Sequence, residues 1–302
     1  LKARVPQTAK AADRRISAKL KQKNVRFRNS DMKTIRAILI GVFLLTFAAH
    51  AQTAGGDVAK FRYDAKRNFA TGTVLHYVKT NIDGTYPEHV SQYIAAPDVM
   101  ESFKFHPKGA RAGLVVAEMD WRSFSAKSLR SWQVFAGDER KLFGTILFDA
   151  AARRAEVSIP AVKKEPEFVE LKHFPVHLYN FDFGSLNFAF PHLKQPKKPF
   201  VVGVIDPTFK ENAALVEYKG EVAVSFVGEE KRDKAETRKY KIDGAGLNNR
   251  GGFIWVNKKT GWIEDMEIAL PDNPDWTSFK FKLLKVEKMN RAEWEDFMKK
   301  QF

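Results

Sequence analysis

Seven histidines set the starting point for chemistry in this 302-residue chain, which contains no cysteine. A thiol nucleophile and a disulfide framework are therefore both excluded. His173-Phe174-Pro175-Val176-His177 has the i, i+4 spacing of a helical metal pair. Pro175 opposes the helix that this spacing needs, and the glutamate of a zinc-protease helix is missing. His76 and His89 make a second pair. A two-residue turn at Asp83-Gly84 would set His76 opposite Ser91 and His89 opposite Val78, with both rings on one face. No third ligand has a defined place beside them, so both pairs read as structural residues and no metal or other cofactor is assigned. Asp182 with His177 or His192 is the acid–base pairing that remains, and no Gly-x-Ser-x-Gly elbow accompanies it. Residues 243–252 are glycine-rich, but a strand follows them where a phosphate loop needs a helix N-terminus. That stretch reads as a turn.

The elements that must position these residues are strands. Residues 240–286 organise the pattern, with Met266, Ile268 and Leu270 alternating against Asp265, Glu267 and Ala269. Phe279, Phe281 and Leu283 likewise alternate with Lys280 and Lys282. A period of two marks a strand with one face buried. The same grammar covers 73–79, 88–95, 99–105, 112–121, 129–136, 141–149, 154–159, 199–206, 214–220 and 221–229, with turn residues between. The charge-dense 229–238 reads as a solvated turn. Asn290-Arg291-Ala292-Glu293 opens a C-terminal helix with a capping box, and Trp294, Phe297 and Met298 form its apolar stripe. The expected fold is mainly β: a large curved antiparallel sheet, a half-barrel or open barrel, with a short helical insert and a C-terminal helix.

The rhythm breaks at 160–199. Six prolines there forbid a central strand, while six phenylalanines make the segment too apolar for a linker. A short helix within 182–193 is expected, and the segment should lie across an apolar surface of the sheet. Phe181, Phe183, Leu186, Phe188 and Phe190 are then the candidate ligand-binding residues. A curved sheet over a phenylalanine-lined hollow suits an acyl chain or lipid.

The net charge of +15 suggests a polyanion partner until its placement is examined. Residues 1–51 carry 12 Lys/Arg against Asp13 and Asp31, a net of +10, which leaves +5 for 52–302. Five charges on that length is ordinary for a soluble protein, so no nucleic-acid partner is expected. Met32-Lys33-Thr34-Ile35-Arg36, an uncharged run over 37–49 and Ala49-His50-Ala51 make a tripartite export signal, with cleavage near Ala51. Thirteen residues at helical rise span about 20 Å, too short for the hydrocarbon core, and no membrane span is expected in the mature chain. Residues 1–31 read as an over-extended start and 52–302 as one mature β-rich domain in the periplasm or outside the cell.

Tyr240-Lys241-Ile242-Asp243-Gly244-Ala245-Gly246-Leu247, Gly251-Gly252-Phe253-Ile254-Trp255-Val256 and Leu270-Pro271-Asp272-Asn273-Pro274 resemble runs in an uncharacterised family of exported bacterial β-rich proteins. Glu293-Trp294, Phe181-Asp182-Phe183-Gly184-Ser185-Leu186 and Pro191-His192-Leu193 extend that resemblance. More distantly the layout is similar to the periplasmic half-barrels that carry lipoproteins, where helices lid a curved sheet over an apolar cavity. The expected function is non-catalytic binding of a hydrophobic ligand or envelope component, with lipid or lipoprotein as partner. The alternatives are an envelope hydrolase using Asp182 with His177 or His192, and a structural envelope protein with a filled core.

Overall fold

The computed structural model describes residues 56–208 and 212–302. The export signal, its cleavage point and the over-extended start lie outside the described residues.

Alternating sequence becomes one curved sheet of 15 strands, not closed into a barrel. Its first half is a meander of β1 (Thr73–Thr80), β2 (Glu88–Ala96), β3 (Val99–Phe105), β4 (Arg111–Asp120), β5 (Ser125–Phe135), β6 (Arg140–Asp149), β7 (Arg154–Ser158) and β8 (Glu167–Glu170). The second half begins with β9 (Val176–Leu178), β10 (Phe200–Pro207), β11 (Val216–Arg232) and β12 (Ala235–Asp243). It continues through β13 (Gly252–Asn257), β14 (Ile263–Ile268) and β15 (Phe279–Lys288). The two halves join where β1 pairs antiparallel with β15, so β8 and β9 become the two edges; every ladder is antiparallel except that of β9 with β10, which is parallel. Among the described residues two α-helices complete the fold: α1 (Gly184–Ala189) in the middle of the chain and α2 (Arg291–Lys299) at its end.

Strand parity explains how both faces of this sheet are used. On β1, Leu75 and Tyr77 face the concave side, while Val74 and His76 face the convex side under α2. α2 starts with the expected capping box between Asn290 and Glu293 and buries Trp294 and Met298 against Tyr93, Phe103 and Leu114. Trp294 Nε1 donates to Glu101 Oε2 at 2.8 Å, so the largest side chain of the helix is both packed and satisfied. The concave side holds the rest of the core. Met266, Ile268, Phe279 and Phe281 are all buried there, as their alternation requires.

Several local expectations need correction. The stretches 214–220 and 221–229 are one 17-residue strand, β11, bent at a register shift where Gly220 has φ +122°. The charged 229–238 segment is not a loop: β11 and β12 stay paired out to Arg232 opposite Ala235. Like-facing Lys/Glu pairs let a polar hairpin extend where an apolar one would have to be buried. The insert region contributes two short strands, β8 and β9, that the sequence pattern does not predict, and neither is the central strand that its prolines forbid. Both are edges, where a missing N–H is tolerated. The first hairpin keeps the expected register, His76 opposite Ser91 and Val78 opposite His89, but a longer loop over 81–87 closes it. The glycine-rich stretch is a turn, and its reason is contact: a Cβ on Gly252 would stand 1.8 Å from the Glu267 carbonyl oxygen.

Candidate functional site

Beyond β9 the chain turns inward. Asp182 and Phe183 both hold left-handed backbone, φ 53° and 50°, a strained pairing that only strong surroundings maintain. α1 then runs inside the concave face with all six of its residues buried. Asn187 pins it: Oδ1 accepts from Ile263 N at 2.8 Å, and Nδ2 donates to Tyr77 Oη at 3.2 Å and Gln92 Oε1 at 3.3 Å. The insert is therefore a plug within the half-barrel.

The five candidate residues are divided by this plug. Phe183, Leu186 and Phe190 pack into the core formed with β10–β15, and Phe181 and Phe188 into the core formed with the first meander. Of the five, Phe181 borders an apolar cavity and Phe190 a second, more polar one. The apolar cavity measures about 210 Å³ and lies between the inner faces of β4–β7 and the β9–β11 side. Gly113 and Val115 of β4, Leu129 of β5, Gly144 of β6, Leu178 of β9 and Val216 of β11 line it. Gly113 leaves room because its absent side chain would meet nothing closer than Lys104 Cβ at 4.0 Å.

This position is where the sheet fails to close. β8 and β9 form no ladder with each other. Instead Leu215 N donates to Glu167 Oε2 at 2.7 Å, and Val176 N donates to Ser125 Oγ at 2.8 Å. Side-chain hydrogen bonds and the apolar core span the seam, where no row of backbone hydrogen bonds runs. Phe143, at the cavity rim, is 42% exposed.

Lys104 sits at the polar end of the cavity. Its Nζ lies 2.8 Å from Asp182 Oδ2 and donates to the Asn180 carbonyl at 2.8 Å. The fully buried Asp182 also faces Lys79, whose Nζ is 3.9 Å from its Oδ1, 3.0 Å from Glu88 and 3.2 Å from Asp272. Burial opposes the charge on Lys79, but Asp272, Asp182 and Glu88 outweigh it and hold the ammonium protonated. Burial pushes the Asp272 carboxyl up against the opposing pull of Lys79, and the neighbouring Asp182 adds to that rise. Asp206, which accepts from Asn180 N at 2.9 Å, is pushed up to about 7, chiefly by burial. Lys79 and Lys104 both occupy the concave parity of their strands, where the alternation would place an apolar residue. That misplaced charge is the sequence signal that could have located this end of the barrel. Nothing comparable marks Gly113 and Gly144.

The histidines do other work. His177 is fully buried and shares a 2.8 Å hydrogen bond with Ser185 Oγ through Nδ1; burial lowers it to about 3. His192 accepts from Asp64 N at 3.3 Å and packs edge-on to Trp121; burial first, then Arg67, lowers it to about 4. Among the described residues no hydrogen bond or ion pair joins Asp182 to either, so the acid–base pairing is not assembled. His173 bonds to backbone groups of Asp57 and Val201 rather than pairing with His177. His76 lies between Ser91 Oγ at 2.9 Å and Glu287 Oε1 at 2.7 Å, but Ser91 is buried beneath α2 and reaches no substrate. No group of three or more His, Asp or Glu among the described residues is placed to hold a metal. No helix among them is long and apolar enough to cross a membrane.

Together these features define a plugged, open half-barrel with a small apolar cavity at its seam. No protein-family model matches the chain, and no curated protein matches it. Among solved structures it is similar to the beta-barrel-like protein of domain of unknown function DUF1849 from Brucella abortus. The identity is 11% and the TM-score 0.44, over 72% of this chain and 98% of that one. It is also similar to a putative outer membrane lipoprotein-sorting protein domain from Vibrio parahaemolyticus, at 10% identity and a TM-score of 0.30, over 81% and 98%.

Proposed function

We propose that this chain is an exported, non-catalytic binding protein that holds a hydrophobic group, from a lipid or a lipid-modified partner, in the seam cavity. The observation that carries this reading is the coincidence of apolar lining with the open seam. The half-open cavity of about 210 Å³ exceeds the roughly 150 Å³ of an enclosed engineered apolar cavity that admits benzene. It falls short of the roughly 300–1,000 Å³ of a drug-sized pocket, so it suits one short acyl segment or one ring. Phe181 is the candidate residue that contacts the group, and Lys104 is placed to meet a polar head. Phe183, Leu186, Phe188 and Phe190 act as the plug that supports Phe181.

A second reading, a structural envelope protein without ligand, draws support from the same plug, since every residue of α1 is buried within the concave face. Lipid extraction and native mass spectrometry of protein purified without detergent separate the two. The binding reading expects apolar adducts on the parent chain and their loss in Gly113→Leu, which fills the cavity. Protein that is clean in both forms, and takes up no fluorescent fatty-acid probe, leaves the structural reading standing.

A further inference from the structure

At the far end of β1 from Lys79 lies a second, unlike cavity. Thr73 and Lys79 are six positions apart, about 20 Å at strand rise, so this space is remote from the Lys79 cluster. It measures about 550 Å³, within the ordinary range for a ligand pocket. Lys66, Arg67, Lys194, Arg238, Lys258, Lys259 and Lys288 line it, and no carboxylate does.

Most of that charge is unneutralised. Among the described residues, Lys66, Lys194, Arg238, Lys259 and Lys288 have no carboxylate within ion-pair distance. Arg67 has only the exposed Asp64 at 3.5 Å. Glu229, opposite Arg238 across the β11–β12 ladder, is already held between Lys197 at 3.1 Å and Lys258 at 2.6 Å. Like charges gathered without counter-charges repel, so a fold that maintains them gains when an anion enters.

The orphaned polar atoms point the same way. Arg238 Nε, Thr260 Oγ1 and Asn68 Oδ1 are all shielded from solvent without a hydrogen-bond partner, and all three residues line this cavity. Buried polar atoms are ordinarily paired, so these three, on residues that line one cavity, keep hydrogen-bonding capacity on which a ligand there can draw. Arg238 shares the concave parity of Tyr240 and Ile242, and its guanidinium therefore faces into the half-barrel. The first two orphans can donate, as a phosphate oxygen requires, and the third accepts, as a hydroxyl requires. Phe69, Phe190 and Trp262 supply an apolar wall beside them.

We propose that this groove binds a phosphate ester carried on a hydroxylated group, such as a sugar or glycerol phosphate. Arg238 and Thr260 hold the phosphate, Asn68 accepts from a hydroxyl, and the surrounding lysines draw the anion in. The ligand reaches the groove either as a free metabolite or as the headgroup of a lipid. The inference does not rest on the seam cavity and stands or falls separately.

Calorimetric titration with glycerol 3-phosphate and glucose 6-phosphate tests the free form. Co-sedimentation with phosphatidylglycerol-containing vesicles, against phosphatidylcholine alone, tests the headgroup form. Saturable binding in either arm, weakened about tenfold or more by Arg238→Gln and by Thr260→Val, is the expected result, since a hydrogen bond to a charged group is worth about that factor. Lys141→Gln, an exposed lysine on β6, should bind as the parent does. Thermal melts establish that each variant is folded. Absence of binding in both arms overturns the proposal. So does an equal loss in Lys141→Gln, which would mean that bulk charge and not this groove attracts the anion.

Discussion

The Lys104 ammonium stands 2.8 Å from Oδ2 of Asp182, a carboxylate with no exposed surface, and Lys104 itself borders the seam cavity. One ion pair thus fastens the strained turn before α1 to the first meander beside the apolar space. Burying such a pair costs solvation on both sides, and removing one partner leaves the other uncompensated. Its survival here ties the plug to the sheet.

Lys104→Met should therefore destabilise the fold by about 3 kcal/mol, read from urea unfolding. Lys104→Met with Asp182→Asn should recover part of that loss, because the stranded carboxylate is gone. Additive losses in the two single variants and the double variant would mean that the two groups are not coupled.

Asp206 gives a pH dependence with a definite sign. Its ordinary value of 3.8 rises to about 7 in the fold, chiefly through burial. The folded state thus binds this proton more tightly than the unfolded one. That contribution is fully present below about 3.8 and is lost as pH rises through about 7. Asp206→Asn keeps the Oδ1 acceptor for Asn180 N and carries no proton. The melting temperature of the variant minus that of the parent should rise between pH 5 and pH 8, and a difference that stays constant or falls would contradict the burial argument.

Leu186 decides whether α1 is a plug or a loose cover. It is fully buried among residues of the sheet. Leu186→Ala should cost about 2–5 kcal/mol in chemical denaturation, the range for a deleted core leucine. A loss below about 1 kcal/mol would show that the helix packs on nothing firm.

The sheet was legible because its signal is local. Met266, Ile268, Phe279 and Phe281 alternate with charges, and that period alone fixes which face is buried. The capping box at Asn290 and Glu293 likewise announced α2. The 160–199 segment was legible as an apolar insert, but not as the interior plug it is. Its placement depends on Asn187 meeting Tyr77, Gln92 and Ile263, contacts separated by 76 to 110 residues that no window of sequence contains. β8 and β9 were missed because proline-rich edges lack strand periodicity. The seam cavity was invisible for a further reason: it arises from space left by Gly113 and from the inner faces of β4–β7 meeting the β9–β11 side, strands far apart in sequence. Of the five aromatic and aliphatic residues picked for it, Phe181 alone borders that space.

Native mass spectrometry of the parent chain and Gly113→Leu, after incubation with a medium-chain fatty acid and removal of excess, tests the seam cavity most directly. The parent should retain one acyl adduct per chain and the filled variant none, with both melting cooperatively. Equal retention by the two, or no adduct on either, would contradict a ligand-binding seam.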